Sequence, residues 1–221
     1  MIFWKTDLLL WPCSKSKDGK SRTRPQQSVT DFLDDTAADV LRRARKLAFE
    51  CPGTKRGPSS PLVASLDRYD GHLCDTRGFR AFISSLLAEG TLCLTISGGL
   101  GFVHPYEPIR DYEASMDKTA PTVWREILPH VLANLVRRND ITRVFIACSE
   151  KYDSVLWKAG RNLIWARYVE EVFRFVPHLQ QQKGVNTNTA NPALVAKTIL
   201  ELQDLKRPDS RWEHWTNPHR R

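Results

Sequence analysis

TLCLTISGGLGFVHPYEPIRDYEASM, residues 91–116, is the stretch from which the fold is read. Residues 91–96 are apolar or β-branched and stop at Ser97, Gly98 and Gly99, the pattern of a buried strand that delivers its end into a loop. Gly98, Gly99 and Gly101 permit close approach to the main chain. Pro105 and Pro108 stiffen the segment that carries His104, Tyr106, Glu107, Arg110, Asp111 and Tyr112. A connection of this length, loaded with polar aromatics and charges, has the character of a functional loop.

Two other stretches repeat the form. Residues 6–11 are a short apolar run closed by Pro12, and residues 143–148, RVFIAC, run into Ser149, Glu150, Lys151 and Tyr152. Helical spacing fills the intervals: residues 29–50 after Ser28 or Thr30 as N-cap, residues 77–87, and residues 121–138, where Pro129 predicts a kink or break. Residues 51–60 have the Pro, Gly and Ser density of a linker, 168–176 read as a further strand, 184–192 as a polar turn and 193–205 as a helix. The expectation is an α/β fold, one domain over residues 1–221 with a mixed sheet flanked by helices and a basic, aromatic tail from 207 to 221. In such a sheet, loops at the carboxyl ends of neighbouring strands build the site, so PCSKSK, SGGLG and CSEKY should converge on one cleft.

Composition narrows the class. Hydrophobic residues make up 41% and charged residues 26%, ordinary values for a chain that buries a core. No apolar run approaches the roughly 20 residues of a membrane span, and the opening MIFWKTDLLLWPC reads as a strand, not a signal peptide. Lys and Arg number 33 against 25 Asp and Glu, a net charge of +8, which favours a polyanion and nucleic acid ahead of a membrane; a merely basic soluble surface is the bland alternative. The five cysteines have no C-x-x-C spacing and fit reduced thiols in a cytoplasmic protein.

The chemistry-bearing residues lie in the three loops. Cys13 and Lys17 are the candidate nucleophiles, because a thiolate or an amine becomes one when neighbours tune its charge; Lys15 and Lys17 should favour the thiolate of Cys13, and Lys17 can form a Schiff base or hold a phosphate. A small buried Cys13 beside a solvated Lys17 is the competing reading. Asp111 and Glu150 are candidate general acids or bases. Ser14, Lys15, Lys20, Ser97, Gly98, Gly99, Arg110 and Ser149 are candidate phosphate contacts, while Tyr69, Tyr106, Tyr112 and Tyr152 are placed to stack on a base or to pack. No His or Cys has metal-ligand spacing, and neither a P-loop nor a dinucleotide fingerprint is present, so no metal and no cofactor is predicted.

The order of these segments resembles the YaaA peroxide-stress family. Ser97, Gly98, Gly101, Pro105, Tyr112, Glu113 and Met116 fill places similar to that family's glycine-loop signature, Pro61, Ala64, Tyr69 and Gly71 follow a second piece, and Ala147, Ser149, Glu150 and Tyr152 a third. The chain departs from the pattern at His104, where the family has Arg, and lacks its basic stretch in the last third. Pro12, Cys13 and Lys17 also match the first half of the P-C-x-x-x-K motif of the archaeosine synthase catalytic domain, which modifies tRNA. The resemblance implies a YaaA-like fold, DNA binding and protection from oxidative damage. The expected function is therefore nucleic-acid binding, DNA ahead of RNA, with modification or excision of a base. Two alternatives stand beside it, a non-enzymatic DNA-shielding protein and an enzyme acting on a free nucleoside or nucleotide.

Overall fold

The computed structural model describes residues 5–17, 22–57, 59–157, 164–175, 192–202, 208 and 211–218. In chain order the elements are β1 (Asp7–Pro12), a 3-10 turn (Val29–Phe32), α1 (Asp35–Ala48), β2 (Lys55–Arg56), β3 (Val63–Ala64), α2 (Ser65–Arg68), α3 (Phe79–Ala88), β4 (Leu92–Ser97), β5 (Gly101–Val103), β6 (Pro108–Ile109), β7 (Tyr112–Glu113) and α4 (Met116–Thr119). A π turn (Ala120–Trp124), α5 (Arg125–Arg138), β8 (Arg143–Ala147), α6 (Glu150–Leu156), a second 3-10 turn (Ala166–Tyr168), β9 (Glu171–Phe175), α7 (Pro192–Glu201) and β10 (Glu213–Thr216) follow.

β1 reads as unbroken apolar sequence because both of its faces are covered. Leu8 and Leu10 point into one layer with Leu41 of α1 and Leu128, Leu132 and Leu135 of α5. Leu9 and Trp11 point into the other, with Phe79 and Ile83 of α3 and Val195 and Ile199 of α7. The six-stranded sheet has the order β10-β9-β8-β1-β4-β5. Its four inner strands are parallel, and the edges β5 and β10 are antiparallel. This is the expected α/β architecture, a mixed sheet with helices on both faces. Asp7 is fully buried at the start of β1, and Arg143 of β8 compensates it with two bonds of 2.7 and 2.6 Å.

Four local expectations need correction. Residues 29–50 are not one helix: Ser28 and Asp31 form a capping box on the 3-10 turn, Leu33 returns to extended backbone, and Asp34 starts α1 by accepting from the Ala37 N–H at 2.8 Å. Pro129 does not break its helix; the irregularity falls earlier, in the π turn over Ala120–Trp124, and α5 continues through Pro129. The strand expected from 168 begins at Glu171, because the Asn217 side chain holds the carbonyls of Ala166, Arg167 and Val169 in the preceding turn. The linker and the tail each contribute a strand, β2 pairing with β7 and β10 with β9. Of the polar turn at 184–192 and the helix at 193–205, residues 184–191 and 203–205 lie outside the described residues, as does the stretch 219–221 of the tail.

No helix among the described residues is long and apolar enough to cross a membrane.

Candidate functional site

The chain leaves β1 for β4 on one side and, after β4, crosses back past β1 to β8 on the other, so strand order reverses at β1. In open α/β sheets a crevice opens outside the carboxyl ends of the strands at such a point. Cys13 is the first residue beyond β1, and its N–H still bonds the Ile96 carbonyl of β4 at 2.8 Å. The half-buried thiol stands 3.5 Å from the hydroxyl of Tyr152, which α6 carries back from the end of β8. The end of β4 and the helix that follows β8 thus both meet Cys13 where the chain leaves β1.

The rest of the first loop is pinned. Ser14 donates to the Asp70 carbonyl, Ser16 pairs with Asp70 as an isolated bridge, and the buried Arg68 donates to the Lys17 carbonyl at 3.2 Å. Lys17 is folded inward, only 6% exposed, with its amine 3.0 Å from the Lys15 carbonyl and 4.4 Å from the centre of the Tyr112 ring. Burial lowers its pKa, opposed by electrostatic interaction with Cys13, Asp111 and Glu113. Lys15 is exposed, and Lys20 lies outside the described residues.

The second loop supplies hydroxyls. Ser97 Oγ accepts the N–H groups of Gly99 and Leu100, both at 3.1 Å, which fills its two acceptor positions. Its proton is therefore directed to the Tyr112 oxygen at 2.5 Å, and the Tyr112 proton to Tyr69 at 2.7 Å. The Tyr69 proton is left at the end of the chain. Tyr69, Tyr112 and Tyr152 are all pushed well above the ordinary phenol pKa, first by burial and then by electrostatic interactions that include Cys13 in each case. Tyr112 spends its proton on Tyr69, so the hydroxyl protons left for negative charge developing at this site are those of Tyr152, 3.5 Å from the sulfur, and of Tyr69 at the end of the chain.

The glycines make their close approaches within this chain. A Cβ on Gly98 would lie 2.6 Å from the Met116 nitrogen, and one on Gly99 would lie 2.8 Å from the Tyr112 ring. The Gly98 carbonyl accepts from Trp124 and Thr119. These glycines admit the Tyr112 ring and the 114–116 backbone, so the space they leave is already filled.

The other expected residues are engaged elsewhere by their own contacts, though the Asp111 charge still acts on Lys17. Asp111 is half-buried with its main chain tied to Ser60 and Gly57, and Arg110 is exposed and donates to the Ser60 carbonyl. Tyr106 packs against His104 and under Arg24. Ser149 is the N-cap of α6, and Glu150 is exposed on its first turn.

Arg45 and Glu107 are the pair that the sequence reading missed. Arg45 bonds Glu107 at 2.6 Å and the carbonyls of Leu100 and Phe102 at 2.9 and 2.7 Å, while Glu107 accepts the N–H groups of Val29 and His104. The clamp holds the central loop against α1. Its signal was present: Leu41, Arg45 and Ala48 share one helical face, so a charge sits inside the apolar stripe. Among the described residues no group of three His, Cys, Asp or Glu side chains is placed to hold a metal ion.

What fold and site together define is an α/β protein with a thiol, a buried amine and three phenols gathered at the switch point of its sheet. No family model matches the chain, and no curated protein sequence matches it.

Proposed function

We propose that this protein binds nucleic acid and carries out chemistry on a nucleobase at Cys13 and Lys17. The observation that carries the reading is the buried Lys17 amine, lying on the Tyr112 ring under the electrostatic influence of Cys13, at the end of the central strand. A lowered amine pKa raises the fraction of free amine near neutral pH, which is what a nucleophilic or proton-abstracting lysine requires. The Tyr152 and Tyr69 hydroxyls are the donors for a thiolate or for an oxyanion formed on the base, and the net charge of +8 supplies attraction to phosphates. The resemblance to the YaaA family points the same way for DNA.

The test is fluorescence-anisotropy binding to single-stranded, duplex and bubble DNA and to tRNA across a salt titration, with mass spectrometry of the recovered nucleosides. The expected result is salt-sensitive binding with a changed nucleoside, lost in Cys13→Ser and Lys17→Met. Binding with every nucleoside unchanged would remove the catalytic part in favour of a shielding protein.

A further inference from the structure

A groove of about 420 Å³ lies between α1 and residues 107–112, lined by Arg45, Lys46, Phe49, Arg56, Gly57, Leu100 and the 107–112 segment. Its charges do not balance. Arg45 and Glu107 neutralise each other, and every Arg45 nitrogen is engaged. Lys46, Arg56 and Arg110 have no carboxylate partner among the described residues, and Asp111 is the one lining carboxylate outside a salt bridge there. Three exposed cations facing one concavity, against the single carboxylate of Asp111, give the groove a positive field that favours an anion.

The cations are also arranged. The Arg56 guanidinium stacks 4.5 Å from the centre of the Phe49 ring, which limits the motion of its planar fork, and Arg110 is held by one nitrogen on the Ser60 carbonyl with the remaining donors unspent. β2 and β7 pair antiparallel, Arg56 against Tyr112, so the guanidinium is tied by the backbone to the aromatic residue that also carries Lys17. Phe49 meets the Tyr112 ring edge-on at 5.7 Å. One side chain, Tyr112, thus belongs to both the groove and the thiol cluster.

We infer that this groove is a phosphate subsite, in which Arg56, Arg110 and Lys46 hold a phosphate ester of the nucleotide whose base is handled at Cys13. The phosphate assignment stands on the groove itself; its link to a base rests on the reading given above. A free nucleotide and a strand of nucleic acid offer the same chemistry, and both are small enough at the phosphate to enter a groove of this volume.

The test uses the full chain with two probes, fluorescein-labelled dT12 by anisotropy and dTMP by calorimetry, at low salt. The variants are Arg56→Glu, Arg110→Glu and Lys46→Glu, with Arg43→Glu as a control that makes the same charge change on the exposed face of α1 outside the groove. All four positions are exposed, and unchanged circular dichroism and melting confirm the fold. Each groove variant is expected to weaken a probe at least tenfold, whereas Arg43→Glu changes affinity by less than threefold. Weakening of dT12 alone assigns the subsite to a strand, and weakening of dTMP assigns it to a free nucleotide. Groove variants that bind both probes as tightly as Arg43→Glu, or a wild-type chain that binds neither, overturn the inference. Converted nucleosides with undiminished binding by the groove variants would sink this subsite alone, while groove-dependent binding with every nucleoside unchanged would sink only the base chemistry.

Discussion

The Tyr152 hydroxyl stands 3.5 Å from the Cys13 sulfur although 139 positions of chain separate them. The contact is made by β8 lying in register beside β1, Leu8 opposite Val144, which brings the two strand ends level. Tyr152→Phe keeps the ring and removes the hydroxyl. With one donor to the thiolate gone, worth about 1 kcal/mol, alkylation of Cys13 by iodoacetamide at pH 8 is expected to slow severalfold. Mass spectrometry of the Cys13 peptide reads this separately from the half-buried Cys51. An unchanged rate would show that the hydroxyl does not serve the thiol.

Lys17 predicts a trade between stability and function. Its pKa is lowered in the fold by burial, so folding at neutral pH carries the cost of an ammonium out of water. That cost disappears only as the pH climbs through the folded value towards the ordinary 10.5, where the unfolded chain too has lost the proton. Lys17→Met, of similar shape and uncharged, should therefore be the more stable protein at pH 7, by about 0.5–2 kcal/mol. The advantage should shrink as the pH approaches 10.5. Urea denaturation at pH 7 and pH 10 checks it, and a less stable variant at pH 7 would contradict it.

His104 sets the acid limit. Burial drives its imidazole down to about 4, against the pull of Glu107 and Asp31. An unfolded chain takes up this proton near 6.5, so the stabilisation is complete above 6.5 and is lost as the pH falls towards about 4. The loss from this one group is about 3 kcal/mol. His104→Gln should flatten the decline in urea midpoint between pH 7 and pH 4, and parallel declines in the two proteins would assign the acid sensitivity to other groups.

Gly98 is less replaceable than its neighbour Gly99. A methyl group there meets the Met116 nitrogen at 2.6 Å and the Ser115 carbonyl carbon at 2.7 Å, main-chain atoms that no rotamer change can move. Gly98→Ala should cost about 2–3 kcal/mol or more, the usual penalty of overpacking. Gly99→Ala meets the Tyr112 ring instead and should disturb the hydroxyl chain more than the fold. Thermal melts of both variants decide this, and a milder effect at Gly98 than at Gly99 would refute the ranking.

Much of the fold was legible because the deciding residues act locally or through a simple period. The runs at 6–11, 91–96 and 143–148 are unbroken apolar stretches, and such runs in a chain with intervening helices belong to inner parallel strands. The position of Cys13 at the carboxyl end of the strand where the order reverses followed from topology. The parts that escaped depend on contacts distant in sequence: Arg45 looks like one of several bases at the end of a helix until Glu107 is placed beside it, and Arg56 looks like linker until β7 pairs with β2. The glycines illustrate the converse. Their freedom to admit a close neighbour was evident, but that the neighbour is Tyr112 is a tertiary fact.

The pairing of β1 with strands far along the chain bears on how the protein is made. Leu8 lies opposite Leu92 and Asp7 opposite Arg143, so Cys13 is synthesised early while its hydroxyl partner, Tyr152, emerges much later. Until β8 docks, the thiol is uncovered, and such long-range parallel pairings form slowly. The nascent or refolding chain is thus expected to be the form most open to modification at Cys13, which pulse alkylation during refolding would register as labelling that ends when β8 joins the sheet.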